Sequence, residues 1–233
     1  MVAPEERLTI DAGSTQVSGV YARPDRPFAA IVVAHGAGAG MDHPFLVGFS
    51  RAINELDVAT LRFNFPYMER GRRSPDSEPA AIEAWRAALD VASKRGSGLP
   101  IFASGKSYGG RMASMAVADG MPVAGLVFLG YPLHPPGKPE DLRAQHLAQI
   151  KLPMLFVQGA RDAFGTPDEL RPIVQTLPLA ALHVVEGGDH SFKVRKRDGV
   201  AQEVVHEAVL DRIAGWLREK LGPVGEGKIA PGR

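Results

Sequence analysis

The chain has 233 residues, of which 45% are hydrophobic and 23% charged, a composition typical of one globular domain. Its 27 basic and 26 acidic residues leave a formal net charge of +1, which argues against the basic face that a nucleic-acid-binding protein needs. The absence of cysteine excludes disulfides, zinc sites with cysteine ligands and a thiol nucleophile.

The N-terminal segment from Met1 to Arg7 carries two glutamates and no apolar core, so it lacks the pattern of a signal peptide. No apolar run in the chain approaches the roughly 18 residues that a membrane-spanning helix needs. A cytoplasmic protein without membrane contact is therefore expected.

Along the chain, apolar runs with β-branched residues alternate with stretches of helical spacing. Two short runs, Leu8–Ile10 and Val17–Tyr21, predict a leading hairpin. The further predicted strands are Ala29–Ala34, Ala59–Phe65, Pro100–Ser104, Val123–Gly130, Met154–Gln158 and Ala181–Glu186, and the predicted helices are Pro44–Leu56, Pro79–Arg95, Tyr108–Ala118, Pro139–Gln149, Pro167–Gln175 and Ala201–Leu221. This alternation predicts an α/β fold: a doubly wound, mostly parallel sheet of about eight strands with helices on both faces. We expect a single domain over residues 1–221 and a flexible tail over the Gly/Pro-rich residues 222–233.

The segment Gly105-Lys106-Ser107-Tyr108-Gly109 has the pattern G-x-S-x-G and lies between a predicted strand and a predicted helix. This is the setting of a nucleophile elbow, where a sharp turn projects a serine hydroxyl and glycines avoid steric clash. The alternative is that Ser107 caps the helix and the glycines form an ordinary loop. A phosphate-binding loop of the form G-x-x-x-x-G-K-[ST] is ruled out because Pro100 stands where a glycine is required. We predict that Ser107 is a nucleophile.

A second glycine-rich segment, His35 to Gly40, follows the first strand after the hairpin. An acyl-transfer site needs two N–H donors aimed at the developing oxyanion. The N–H of Tyr108 is the first predicted donor, and that of Ala37, with Gly38 as the next candidate, is the second. The alternative, a dinucleotide-binding loop, needs G-x-G-x-x-G and an acidic residue near the end of the following strand, and the chain has neither.

Asp162 follows the strand Met154–Gln158, at the carboxyl edge of the sheet where sites of α/β proteins form. There it can orient a histidine and stabilise the imidazolium. The competing acid is Asp168, but residues 166–169 (Thr-Pro-Asp-Glu) have the pattern of a capping box, which places Asp168 in a first helical turn. The alternative for Asp162 is a solvent-exposed pair with Arg161.

His190 follows the last predicted strand, in the segment Gly187-Gly188-Asp189-His190-Ser191-Phe192. From such a loop an imidazole can reach the nucleophile and act as its general base. A lone histidine is more often a packing or surface residue. Here Ser107, Asp162 and His190 follow three separate strands in the order nucleophile, acid, base, which favours the catalytic interpretation. Asp189 is expected to be solvated or to brace the loop.

These segments resemble the α/β-hydrolase superfamily, whose triads have this chain order, and within it the compact dienelactone-hydrolase-like branch. The elbow with its following Gly-Gly-Arg, and the segments around Ala37 and His190, are still more similar to a small bacterial group related to animal testis-expressed and chromatin-acetylation-complex hydrolase-like proteins. The resemblance covers residues 29–221 and implies the α/β-hydrolase fold. Dienelactone hydrolases use a cysteine nucleophile that this chain lacks, so their substrate is not implied. The animal relatives imply that such a fold can also serve as a scaffold.

The residues after the strand ends are expected to line a cleft. The segment Tyr131–Pro153 is too short for a cap domain, and an uncovered cleft favours small soluble esters over long lipids. The predicted lining residues are Met41, Asp42, His43, Tyr67, Met68, Arg70 and His134. Arg70, with Arg72 and Arg73, either attracts an acidic acyl group or forms a solvated basic loop. Arg111 is expected to pair with an acid and brace the nucleophile helix.

The sequence therefore predicts a serine hydrolase that acts on a carboxylic ester or thioester of a small soluble substrate through an acyl-enzyme on Ser107. No metal or cofactor is expected, and the expected partner is the small-molecule ester, with neither nucleic acid nor membrane. Two alternatives are a non-catalytic interaction module that retains the fold and an acyltransferase that uses the same chemistry. The sequence specifies neither the substrate nor the oligomeric state.

Overall fold

The computed structural model describes residues 3–75 and 77–222, which form one mixed sheet with helices on both of its faces. The predicted tail, residues 222–233, lies outside the described residues except for Gly222. The strands are β1 (Glu5–Ala12), β2 (Thr15–Ala22), β3 (Ala29–Ala34), β4 (Val58–Phe63), β5 (Ile101–Lys106), β6 (Gly125–Leu129), β7 (Met154–Gly159) and β8 (Ala180–Val185). Among the helices that these residues form, none has both the length and the hydropathy to cross a membrane.

The strands lie in the order β1-β2-β4-β3-β5-β6-β7-β8. The hairpin of β1 and β2 is antiparallel and joins β4 antiparallel, whereas every pair from β4 to β8 is parallel. The prediction of a mostly parallel, doubly wound sheet of eight strands is therefore confirmed. Because β3 to β8 run in one direction, the loops that follow them meet at one edge of the sheet.

The helices are α1 (Pro44–Glu55), α2 (Pro66–Glu69), α3 (Glu78–Gly96), α4 (Tyr108–Ala118), α5 (Pro167–Gln175) and α6 (Gln202–Leu221). They divide the core into two layers, one on each face of the sheet. Trp85 of α3 and Met112 of α4 pack in one layer, and Ile53 of α1 and Trp216 of α6 in the other, all four with no exposed surface. The strands between the layers are accordingly apolar on both faces, as in β3, where all six residues are buried.

The predicted helix Pro139–Gln149 is wrong over most of its length. Only Gln145–Gln149 is helical, as a short 3-10 helix. The reason lies in the loop after β6, because Arg143 donates its N–H to the Leu133 carbonyl at 2.8 Å and accepts from the Tyr131 hydroxyl at 2.7 Å. These contacts engage the backbone groups of Arg143 outside a helix. The segment between β6 and β7 thus holds no cap domain, as predicted.

A charge pair with a buried arginine fixes the N-terminal hairpin to strand β4. Arg62 on β4 is 2% exposed and donates to both oxygens of Glu5 on β1, at 3.2 and 3.0 Å. Hydrogen bonds from Arg62, reinforced by Arg51, hold the pKa of the Glu5 carboxyl down at about 2. The pair crosses β2, which lies between the two strands, and it has no counterpart among the sequence predictions.

Candidate active site

The elbow at Ser107 has the local geometry that a projecting nucleophile requires. Strand β5 ends at Lys106, helix α4 begins at Tyr108, and Ser107 between them has φ 51° and ψ −115°. A positive φ is costly for a residue with a side chain and marks a backbone held under strain by its surroundings. The Ser107 N–H donates to the Leu129 carbonyl at 3.1 Å, which fixes the turn against the end of β6.

Glycines let three backbones meet behind this turn. A Cβ atom on Gly105 would lie 2.3 Å from the Gly109 carbonyl carbon and the Gly110 nitrogen, and one on Gly109 would lie 2.6 Å from the Ala34 carbonyl oxygen. Both distances are far below van der Waals contact, so β3, β5 and the start of α4 can approach only at glycine. Behind them, Arg111 pairs with Glu78 at 2.7 Å, the acid partner that the sequence analysis anticipated.

Asp162 lies just beyond β7 and has no exposed surface. Its Oδ2 lies 2.7 Å from His190 Nδ1 and accepts from Gln158 Nε2 at 2.9 Å, and its Oδ1 accepts from the Phe164 N–H at 2.8 Å. These donors fix the plane of the carboxylate. The competing Asp168 is exposed in the first turn of α5, next to the capping box that Thr166 and Glu169 form.

His190 faces this carboxylate from the loop after β8. Since a carboxylate only accepts, Nδ1 carries the proton, and Nε2 is left as the acceptor. The Phe164 ring packs over the imidazole at a centroid distance of 4.3 Å. Asp189 braces the loop, because its Oδ1 accepts from the N–H groups of Ser191 at 2.8 Å and Lys193 at 3.0 Å.

The end of β6 contacts both the turn at Ser107 and the loop of His190. Leu129 accepts from the backbone of Ser107, and the next residue, Gly130, lies against the histidine loop. A Cβ on Gly130 would meet the His190 carbonyl oxygen at 3.0 Å and His190 Nδ1 at 3.2 Å. Ser107 and His190 therefore lie on the two sides of one strand end.

The glycine-rich loop after β3 lies on the other side of Ser107. A Cβ on Gly36 would be 3.8 Å from Ser107 Cβ, so the loop passes beside Ser107 one residue before Ala37. The Gly38 N–H donates to the Tyr67 hydroxyl at 3.3 Å. Because that N–H is engaged, the arrangement favours Ala37 over Gly38 as the donor from this loop.

His35, whose role the sequence analysis did not anticipate, holds the base of the same loop. It has no exposed surface; its Nε2 accepts from the Phe65 N–H at 3.1 Å and its Nδ1 lies 2.8 Å from the Gly36 carbonyl. This pairing specifies a neutral ring with its proton on Nδ1. Burial lowers the pKa of His35 to about 4, so the ring is neutral at physiological pH.

The predicted lining residues are divided between surface and interior. His43 and Arg70 are exposed, and His43 caps α1 by accepting from the Phe45 N–H at 3.2 Å. Met41, Tyr67 and His134 are buried, with Tyr67 beneath the Gly36–Gly38 turn and His134 Nε2 3.4 Å from Glu169. The contact of these five residues with a substrate stays a prediction. Within residues 3–75 and 77–222, no cluster of His, Asp and Glu suits a metal ion.

The chain is similar in sequence to one family of proteins and to a longer curated protein. Residues 27–218 match the model of a family described as "Alpha/beta hydrolase domain". A Mycobacterium tuberculosis strain H37Rv protein named "Putative phosphoribosyl transferase" is 29% identical over 199 residues, which cover 81% of this chain and 42% of that protein. The chain thus spans less than half the length of this curated relative.

Solved structures share the fold at low sequence identity. An alpha-beta serine hydrolase homologue from Coxiella burnetii superposes with a TM-score of 0.73 at 21% identity, covering 91% of this chain and 97% of that one. A dienelactone hydrolase from Anabaena variabilis gives 0.73 at 18% identity, with coverages of 93% and 98%. A Xanthomonas campestris protein described as an a/b serine hydrolase without lid gives 0.73 at 19% identity, with coverages of 93% and 97%.

Proposed function

We propose that this chain, which belongs to the α/β-hydrolase domain family, is a serine hydrolase that cleaves a carboxylic ester or thioester of a small soluble substrate through an acyl-enzyme on Ser107. The observation that carries the proposal is the 2.7 Å hydrogen bond between His190 Nδ1 and the fully buried Asp162 carboxylate. It directs Nε2 of the imidazole away from the acid, which is the arrangement of a base in a catalytic triad.

The proposed reaction has two acyl-transfer steps. In the first, Ser107 Oγ attacks the substrate carbonyl carbon while His190 Nε2 takes the hydroxyl proton, and Asp162 stabilises the imidazolium. The N–H groups of Ala37 and Tyr108 donate to the oxyanion, and collapse of the tetrahedral intermediate expels the alcohol or thiol, protonated by His190. In the second step, water attacks the acyl-enzyme by the same route and releases the acid.

The uncovered edge of the sheet supports a small substrate. The segment from β6 to β7 holds one short 3-10 helix in place of a cap domain. A long acyl chain therefore finds no apolar cover from this segment. We expect activity on p-nitrophenyl esters to be highest for short acyl chains and to fall as the chain lengthens.

The first test of the proposal needs no knowledge of the substrate. A fluorophosphonate probe should label the wild-type protein, and mass spectrometry should locate the adduct on Ser107. Labelling should vanish in Ser107→Ala and persist in Ser93→Ala, which changes an exposed serine of α3. Full labelling of Ser107→Ala would refute the nucleophile assignment, and a wild-type protein that does not react would favour the interaction module.

A further inference from the structure

Lys106, the residue before the proposed nucleophile, is a buried amine that the proposed reaction does not use. Lys106 is the last residue of β5 and is 9% exposed. Its Nζ is enclosed by protein, and within the described residues it has no hydrogen-bond partner. A buried, unpaired amine is costly to maintain, so its position calls for a physical explanation.

The amine and the proposed base lie against the same residue, Gly130. The point where a Cβ on Gly130 would lie is 3.1 Å from Lys106 Nζ and 3.2 Å from His190 Nδ1. Gly130 has φ 70° and no side chain, so no Cβ atom stands between the two nitrogen atoms. Because Nζ is enclosed, it acts on groups inside the protein and not directly on a substrate.

Two carboxylates attract this ammonium group, one from each neighbouring loop. They are Asp162, after β7, and Asp189, after β8. Asp162 is hydrogen-bonded to the imidazole of His190, and Asp189 is its neighbour in the chain. Negative charge near an imidazole favours its protonated form, which cannot accept a proton from serine.

We propose that Lys106 is a positioning residue that keeps His190 available as a base, because its buried positive charge offsets the carboxylate of Asp162, which is hydrogen-bonded to the imidazole, and that of Asp189 in the same loop as His190. The inference rests on the proposed function, since it concerns the ionisation of the proposed base. Burial lowers the pKa of the Lys106 ammonium to about 8, with the two carboxylates acting in the opposite direction. The charge is therefore present at neutral pH and below, where the protonation of a histidine limits activity.

The test follows the rate of Ser107 labelling by a fluorophosphonate from about pH 5 to about pH 9. Lys106→Met keeps the length of the side chain and removes its charge, so the imidazole should protonate more readily. The acidic limb of the rate profile should move to higher pH, by on the order of one pH unit. Lys106→Arg, which keeps the charge, and Lys138→Met, which changes an exposed lysine, should keep the wild-type limb.

Asp189→Asn provides the opposite change. It removes one negative charge and keeps a side-chain oxygen for the Ser191 and Lys193 N–H groups, so the limb should move to lower pH. If circular dichroism shows that Lys106→Met is unfolded, Lys106→Gln, a shorter neutral side chain, takes its place in the comparison. Opposite shifts of the acidic limb in Lys106→Met and Asp189→Asn support the inference.

The inference is overturned if Lys106→Met keeps the wild-type acidic limb, if the limb of Lys106→Arg shifts as far as that of Lys106→Met, or if Asp189→Asn leaves the limb in place. A wild-type protein that is not labelled at Ser107 refutes the proposed function instead.

Discussion

Among individual residues, Asp162 differs from the competing acid Asp168 most clearly in its surroundings. It is fully buried and accepts hydrogen bonds from Gln158 and the Phe164 N–H besides facing His190, whereas Asp168 is exposed in the first turn of a helix. Asp162→Asn should therefore lower kcat by about 10⁴-fold, because an amide can neither fix the tautomer of His190 nor stabilise its positive charge.

The matched variant is Asp168→Asn, which changes an exposed first-turn acid. It should retain wild-type kcat on a p-nitrophenyl ester, since no described contact links Asp168 to His190. Loss of activity in Asp168→Asn together with normal kcat in Asp162→Asn would show that Asp168, and not Asp162, is the acid of the triad.

Sequence reasoning singled out Ser107, Asp162 and His190 because each follows a strand with a clear apolar pattern. It missed Gln158, whose amide donates to Asp162 and to the Gly165 carbonyl, at 2.9 and 2.7 Å. Gln158 closes an apolar run, and a polar residue there is equally typical of an exposed strand end. The role of Gln158 depends on which groups the fold brings close to its amide, and the local sequence pattern does not show this.

At the scale of elements, the glycines of the elbow set how closely strand and helix can approach. Gly105→Ala would place a methyl group 2.3 Å from the backbone of α4, which cannot move away like a flexible side chain. We expect a loss of about 3 kcal/mol in the free energy of unfolding, and of labelling at Ser107, because β5 and α4 must separate. Urea unfolding and the labelling rate measure the two effects.

Gly215→Ala is the control for this substitution. Gly215 lies exposed within α6, and a Cβ there meets nothing within 4 Å. The change should raise the unfolding free energy by about 1 kcal/mol, since alanine is the better helix former. Equal stabilities of Gly105→Ala and the wild type would contradict the account of the elbow.

The elements differ in how well sequence alone defines them. Helix α5 was predicted at its observed bounds because its start signals, Thr166 and Glu169, are local and form the expected capping box. The segment 139–149 was predicted as a helix and is mostly irregular, because Arg143 bonds to the loop after β6. A pattern of residues reports local preference, and such a contact between separate segments overrides it.

At the scale of the whole molecule, acid should destabilise the fold through buried neutral histidines. The pKa of His35 is lowered by burial to about 4, whereas the unfolded chain has the ordinary value near 6.5. Between these values the unfolded state binds more protons, so stability is complete above about pH 6.5 and falls as the pH drops toward 4. His35 alone should account for about 3 kcal/mol of this loss.

Urea unfolding at pH 7 and at pH 4 tests this expectation. His35→Asn should be less stable than the wild type at pH 7, yet lose less stability on acidification. His206→Asn, which changes an exposed histidine of α6, should keep the wild-type difference between the two pH values. An unchanged difference in His35→Asn would show that acid acts elsewhere. His146, whose pKa burial also lowers to about 4, would be the next residue to replace.

The overall class of the fold followed from the alternation of strands and helices, but the order of the strands did not. The alternation does not show that β4 lies between β2 and β3, nor that Arg62 would be buried against Glu5 on the first strand. Both depend on how distant segments pair. Neither residue of that pair has a local pattern that separates it from an ordinary surface charge.

The same strand order determines when the sheet can assemble as the chain leaves the ribosome. Strand β3 is made before β4 and β5, which are its two neighbours in the sheet that the described residues form. The leading hairpin must wait as well, since Glu5 meets its partner Arg62 only 57 residues later. The segment from β1 to β3 is therefore made before most of its partners in the sheet, apart from the pairing of β1 with β2. This segment must stay unaggregated until β5, the strand before Ser107, has been synthesised and can join the middle of the sheet.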